Sequence, residues 1–364
     1  MFHSQEIFTM KHLALLLFVA LFFTTTADAR YNHHRNHHGY RHWAPSDPAP
    51  TPDPTPTPVP TPTPVPPVTP GFVIGVNTQL YSGPFNSLKQ TLTSDLGVNS
   101  IRIEYGDMDY DTPIQWAASH GKSVLFMLGY DYDPMGNVTT SSSARQAYAD
   151  RSASIVAQYG NKIKYVEVWN EWNIGLGPKQ NCQWGTCSAA IYTDLLCKTY
   201  TAVKAANPNV IVFGIANSNV NVPFIREVLQ AGGGSCMDVI SVHPYVYSDD
   251  SDYTVGYTGS STDAVLNIAK AVDDIQAATI EETGRLIPVA ITEEGRNDNG
   301  NTSSANRQIT ADFASKLLSD APTIPHLYGV WWFSLIDDVD GQWGVATTNG
   351  THKASFDAIS TVTH

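Results

Sequence analysis

From residue 72 onward the chain alternates between two hydrophobic rhythms. Short apolar, β-branched runs recur eight times, at 72–76, 100–105, 123–129, 165–171, 210–216, 239–245, 287–293 and 328–335. They are nearly continuous in apolar residues, the pattern of strands covered on both faces. The segments between them repeat at helical spacing. Val265, Ile268, Ala269, Val272 and Ile275 form one such stripe, and Ile309, Phe313 and Leu317 step by four. Each lays one apolar face along a helix. Strands alternating with helices predict a parallel sheet with right-handed crossovers. Eight units in the 294 residues after Pro70 predict an α/β fold, a single (β/α)8 TIM barrel over residues 71–364. A doubly wound open sheet fits less well. The first run leads into Asn77-Thr78-Gln79-Leu80 and not into a glycine-rich turn.

The first 70 residues follow neither rhythm. Met10-Lys11-His12 precedes eleven apolar residues, 13–23, then three threonines and Ala27-Asp28-Ala29. A charged start, a short apolar stretch and an A-x-A site predict a secretion signal over 1–29, cleaved near Ala29. The apolar stretch is far below the roughly 20 residues that span a bilayer, and no other stretch reaches that length, so no membrane span is expected. Residues 30–43 carry His33, His34, His37, His38 and His42 and read as a polar spacer. Residues 44–70 repeat Thr-Pro and hold 13 of the 23 prolines, an extended polyproline tether with no core of its own.

Charge then narrows the partners. The formal net charge is −13, and residues 1–70 contribute four basic and four acidic groups. The barrel therefore carries all of the excess. Such a surface repels phosphate backbones, so nucleic acid is not an expected partner. A neutral or cationic substrate fits better, and a monomer is expected.

In a (β/α)8 barrel, chemistry gathers where strands end. Arg102 and Glu104 lie on the second strand, Trp169-Asn170-Glu171-Trp172 close the fourth, and His243-Pro244-Tyr245 close the sixth. Thr292-Glu293-Glu294-Gly295 close the seventh, and Trp331-Trp332-Phe333 lie on the eighth. Aromatic rings, amides and carboxylates on one rim suit a sugar: C–H faces stack on rings, and hydroxyls need fixed donors and acceptors. Glu171 and Glu293, on opposite strands, offer the two carboxylates that glycoside hydrolysis uses. Arg102 has Glu104 and Glu167 as alternative buried partners. Trp172 and Trp184 read equally as outer sugar contacts or as loop packing. Asp337, Asp338 and Asp340 read as a solvated acidic loop. No metal and no organic cofactor is expected. The alternative to an enzyme is a surface carbohydrate-binding protein on the same fold, without catalysis.

Residues 165–171, Y-V-E-V-W-N-E, and 291–295, I-T-E-E-G, resemble the clan A glycoside hydrolases, retaining (β/α)8 enzymes that include families 5, 39 and 51. The tail from Gly344 through Gly350 and Lys353 to Phe356 resembles the ending of family 39-like and some family 5-like members. The resemblance implies a secreted retaining glycosidase that cleaves β-linkages of a polysaccharide or oligosaccharide. It implies Glu171 as acid/base, Glu293 as nucleophile, and Asn170 as a partner of the sugar 2-hydroxyl. Arg102 and Tyr245 would hold the nucleophile, His243 would line the same subsite, and Trp332 would be the sugar platform in preference to Trp331. Position 294 departs from the pattern, being Glu where an aromatic is common. Strand alternation groups Val289, Ile291 and Glu293 on one face, which favours Glu293 over Glu294.

Export makes disulfides the expected state of the four cysteines. Four allow three pairings. The expectation is Cys182 with Cys187, and Cys197 with Cys236.

Overall fold

The computed structural model describes residues 71–364, except 80–82, 105–108, 130–137, 176–186, 246–260, 299 and 340, and the side chains of 261–266. The expected signal, spacer and tether lie outside these residues, as do Cys182, Trp184 and Asp340.

Eight strands each lead to a helix. In chain order they are β1 (Val73–Asn77), α1 (Ser87–Asp95), β2 (Ser100–Glu104), α2 (Asp111–Ser119), β3 (Ser123–Leu128), α3 (Ser142–Tyr159), β4 (Tyr165–Val168) and α4 (Ala189–Ala206). Then come β5 (Ile211–Ser218), α5 (Val222–Gln230), β6 (Val239–His243), α6 (Ser261–Thr283), β7 (Val289–Glu294), α7 (Ser304–Asp320), β8 (Leu327–Trp332) and α8 (Ala354–Thr363). All strand pairs are parallel and the sheet closes β8 onto β1, the (β/α)8 barrel that the sequence predicts. Helix starts are set locally. The side chains of Asn86, Ser141, Ser188, Asn221 and Ser303 each accept from a backbone N–H of the first turn. Such caps contribute about 1 kcal/mol each.

Two packed layers follow from the strand alternation. The outer layer joins strands to helices through residues such as Val166, Val289, Ile291 and Trp332. The inner layer fills the lower barrel with Tyr165, Phe213, Tyr328 and Trp331, whose ring centroids lie 5.5–6.0 Å apart. Trp331 fits because Gly75 on β1 has no side chain; a Cβ there would sit 2.1 Å from the indole. Cys197 on α4 bonds to Cys236 just before β6, as expected. Cys187 is also disulfide-bonded. Among the described residues no helix is long and apolar enough to cross a membrane.

Candidate active site

The polar residues collect above the aromatic plug, at the carboxyl ends of the strands. Arg102 is the hub. It is 4% exposed, and its guanidinium bonds side chains of β1, β4 and β7 and of the exit from β4. Nη1 donates to Glu293 Oε1 at 2.7 Å and to Asn77 Oδ1 at 2.8 Å. Nη2 donates to Asn170 Oδ1 at 3.2 Å, and Nε donates to Glu167 Oε2 at 2.8 Å. Glu167 is fully buried and points into the barrel below the site. Arg102 thus pairs with Glu167 and with Glu293, the first of which sequence reading had weighed only as an alternative. Burial disfavours its charge, but the two carboxylates outweigh that and raise its pKa.

Glu293 receives a second donor, the Tyr245 hydroxyl, at 2.5 Å from Oε2. Burial pushes its carboxyl up, yet the charges of His243 and Arg102, with hydrogen bonds from Tyr245 and Arg102, hold it below the ordinary carboxylate range. His243 has no exposed surface. Its Nδ1 lies 3.1 Å from Glu171 Oε1 and 3.7 Å from Glu293 Oε2, and its Nε2 lies 3.0 Å from Thr292 Oγ1. Burial lowers its pKa, but the neighbouring carboxylates, Glu293 first, raise it by more. One ligand atom each of Glu171, His243 and Glu293 fall within 4.8 Å of one another. A divalent ion could use that trio, in competition with the guanidinium already on Glu293.

Glu171 is presented by a strained exit from β4. Trp169 and Glu171 have φ values of 70° and 47°, conformations costing about 1–3 kcal/mol each outside glycine. Two features hold them. Trp169 packs against Trp172 and Tyr148. The Glu171 N–H donates to Ala216 O of β5 at 2.9 Å, while the Asn173 amide pairs both ways with the Ser218 backbone at 3.0 Å. The predicted fourth strand therefore stops at Val168, and Glu171 stands beyond it.

Several expectations need correcting. Trp332 is 1% exposed and faces outward onto Phe313 of α7, with its centroid 5.8 Å away. It is not a sugar platform. Trp331 is inside the barrel and equally hidden, its Nε1 donating to Ser100 Oγ. Among the described residues, the aromatics that line the cavity beside the carboxylates are Phe333, Trp343 and Tyr245. Trp172 is loop packing, 2% exposed. Asp337 is buried and paired with Lys353 at 2.7 Å, so it is not part of a solvated loop. The strand-face argument for Glu293 also fails in its reasoning. Val289 and Ile291 face the helices, and a register shift between Ile291 and Glu294 breaks the alternation before Glu293.

Sequence reading missed Asn77, Thr292, Phe333 and Trp343. Asn77 ends β1, and its Nδ2 donates to Thr292 O and Trp332 O, tying β1 to β7 and β8. Its position at a strand end was the available signal. Trp343 sits past β8 in a loop, where periodicity gives none.

The chain matches no protein-family model and no curated protein. Solved structures do match. A family 39 glycoside hydrolase from the gut symbiont Bacteroides cellulosilyticus WH2 aligns with TM-score 0.61 at 21% identity, over 80% of this chain and 63% of that one. The GH53 catalytic domain of Ignisphaera aggregans aligns with TM-score 0.55 at 17% identity, over 82% and 98%. A monomeric β-xylosidase from Caulobacter crescentus CB15 aligns with TM-score 0.54 at 16% identity, over 80% and 67%. The fold is therefore the TIM barrel that these glycoside hydrolases also have. This chain spans under two thirds of the family 39 enzyme's length, 63% of it.

Proposed function

We propose that the protein is a secreted retaining glycosidase that cleaves β-linkages of a polysaccharide or oligosaccharide. The observation that carries this reading is the carboxylate pair. Glu171 and Glu293 bring oxygens within 4.8 Å of each other across a cavity of about 370 Å³. Carboxyl groups about 5–5.5 Å apart suit a double displacement, whereas inversion needs room for a water between them.

The roles follow from the surroundings. Glu293, held ionised by Arg102, His243 and Tyr245, attacks the anomeric carbon. Glu171 gives its proton to the departing oxygen, and the bond to the leaving sugar breaks. Glu171 then takes a proton from water, which displaces Glu293 from the glycosyl-enzyme and restores the starting configuration. Asn170 turns Oδ1 to Arg102 and leaves Nδ2 to donate to a sugar hydroxyl. Phe333 and Trp343 offer ring faces to sugar C–H groups. The Cys197–Cys236 disulfide supports export.

The test is a panel of aryl β-glycosides and β-linked polysaccharides, with the first-formed anomer read by proton NMR. Cleavage with a retained β-anomer is expected. No cleavage of any member, or an inverted first product, overturns the reading.

A further inference from the structure

β5 leaves its regular pleat before it reaches the rim. Ile215, Ala216 and Asn219 have φ values of 82°, 42° and 57°, and pairing with β6 shifts register between Gly214 and Asn217. Asn219 is the residue type best suited to such a backbone after glycine. Its N–H donates to His243 O at 3.1 Å, which fixes its Cα against β6. The side chain is otherwise unengaged. Its Oδ1 is covered and unpaired, and its amide makes no hydrogen bond to any described residue. An unmet buried polar atom costs roughly 1–3 kcal/mol. This one belongs to a wall of the cavity that also holds Glu171 and Glu293. Asn219 is thus a lining residue whose amide oxygen has no partner among the described residues.

Position decides what it meets there. Glu171 and Glu293 both line the cavity. Arg102 bonds both Glu293 and Asn170, so the ring under attack at Glu293 is taken to lie toward β2 and β7. Next to the proton donor, β5 and the residue after it supply Ser218 and Asn219 to the cavity lining. The Ser218 backbone is already committed to Asn173. The departing oxygen sits at Glu171, and what hangs from it extends toward β5.

The geometry points to Asn219 as a hydroxyl-binding residue for the leaving sugar, a positive subsite that recognises a neutral saccharide and not a bare leaving group. This rests on the glycosidase reading above. An amide donates and accepts, so it suits a hydroxyl, which does both.

The experiment replaces Asn219→Gly, which removes the amide and keeps the backbone conformation free of strain. The measured quantity is the ratio of kcat/KM for a β-linked trisaccharide to kcat/KM for the 4-nitrophenyl β-glycoside of the same sugar. One lost hydrogen bond should lower that ratio about five-fold. A second readout is transfer of the glycosyl-enzyme to added disaccharide: the variant should need about five-fold more acceptor for half-maximal transfer. An unmoved ratio together with unmoved acceptor demand overturns the subsite, while the wild type's cleavage of both substrates leaves the glycosidase reading intact. A wild type that cleaves neither substrate overturns both.

Discussion

The barrel interior has two halves built on opposite rules. The lower half is Tyr165, Phe213, Tyr328 and Trp331, rings packed edge to face with little charge among them. The upper half is Arg102, Glu167, His243, Glu171 and Glu293, equally hidden from water but held by specific partners. Burial is thus not what distinguishes them. Rings contribute through area and shape, and a similar volume can replace them. A buried charge is tolerable only while its partner is present. The lower half should therefore govern stability and the upper half rate.

The sharpest way to break that division is at the carboxylates. Glu293→Ala should lose at least about 10⁴-fold in kcat on every glycoside, as removal of a nucleophile does. Added azide should then yield the inverted glycosyl azide. Glu171→Ala should lose about 10²–10⁴-fold on substrates with poor leaving groups, and azide should restore turnover with retention. Product configuration by NMR separates the two residues. An active Glu293→Ala beside a dead Glu294→Ala would move the nucleophile by one position.

Phe213→Ala probes the other half. It should cost about 3–5 kcal/mol in denaturant unfolding, by cavity formation. Its kcat in water should stay within about two-fold of wild type, because only the plug has lost contacts. A stable but inactive Phe213→Ala would dissolve the distinction between plug and site.

Tyr245→Phe tests how the charges are set. Glu293 is depressed below its ordinary value, and the Tyr245 hydrogen bond is one of the causes. A depressed carboxyl stabilises the fold above its unfolded pKa, near 4.3, and that contribution fades as pH falls through the lower folded value. Removing the hydroxyl lets the folded value rise. The acid limb of kcat/KM against pH should move to higher pH, with about ten-fold lower activity at its plateau. An acid limb that stays put would mean that Arg102 and His243 alone set the ionisation.

Trp332→Phe should do least. The residue is not in the site, so KM should stay within about two-fold, and the smaller ring should cost under about 1.5 kcal/mol. A ten-fold rise in KM would return Trp332 to the sugar.

These contrasts also explain what was legible. The eight apolar runs predict the eight strands because burial on both faces imposes continuity, and continuity survives small irregularities. Which face a residue presents does not survive them. A regular pleat puts Glu293 with Ile291, on the helix side; one register shift turns it into the site. The same period could not choose between Trp331 and Trp332, both of which proved hidden. Arg102, Glu171, His243, Tyr245 and Glu293 were findable because each lies on a strand or within three residues of its carboxyl end and carries reactive chemistry. Asn219 and Trp343 sit on irregular backbone, where side-chain direction depends on distant contacts such as the His243 carbonyl.

The chain's last helix begins beside a cation that serves the rim. Lys353, 4% exposed, places Nζ 3.0 Å from Asp298 after β7 and 2.7 Å from Asp337 after β8, with the Gln342 carbonyl at 3.3 Å. Asp337 in turn accepts from the Gly344 N–H, next to Trp343 in the cavity wall. Lys353 is thus the shared cation of two loops that follow neighbouring strands. Without it, two acidic side chains would face each other across the loops beside Trp343. One side chain outside the cavity therefore couples the loop that carries Trp343 to the start of α8, so that loss of Lys353 would leave Asp337 buried without its cation and loosen the aromatic wall first.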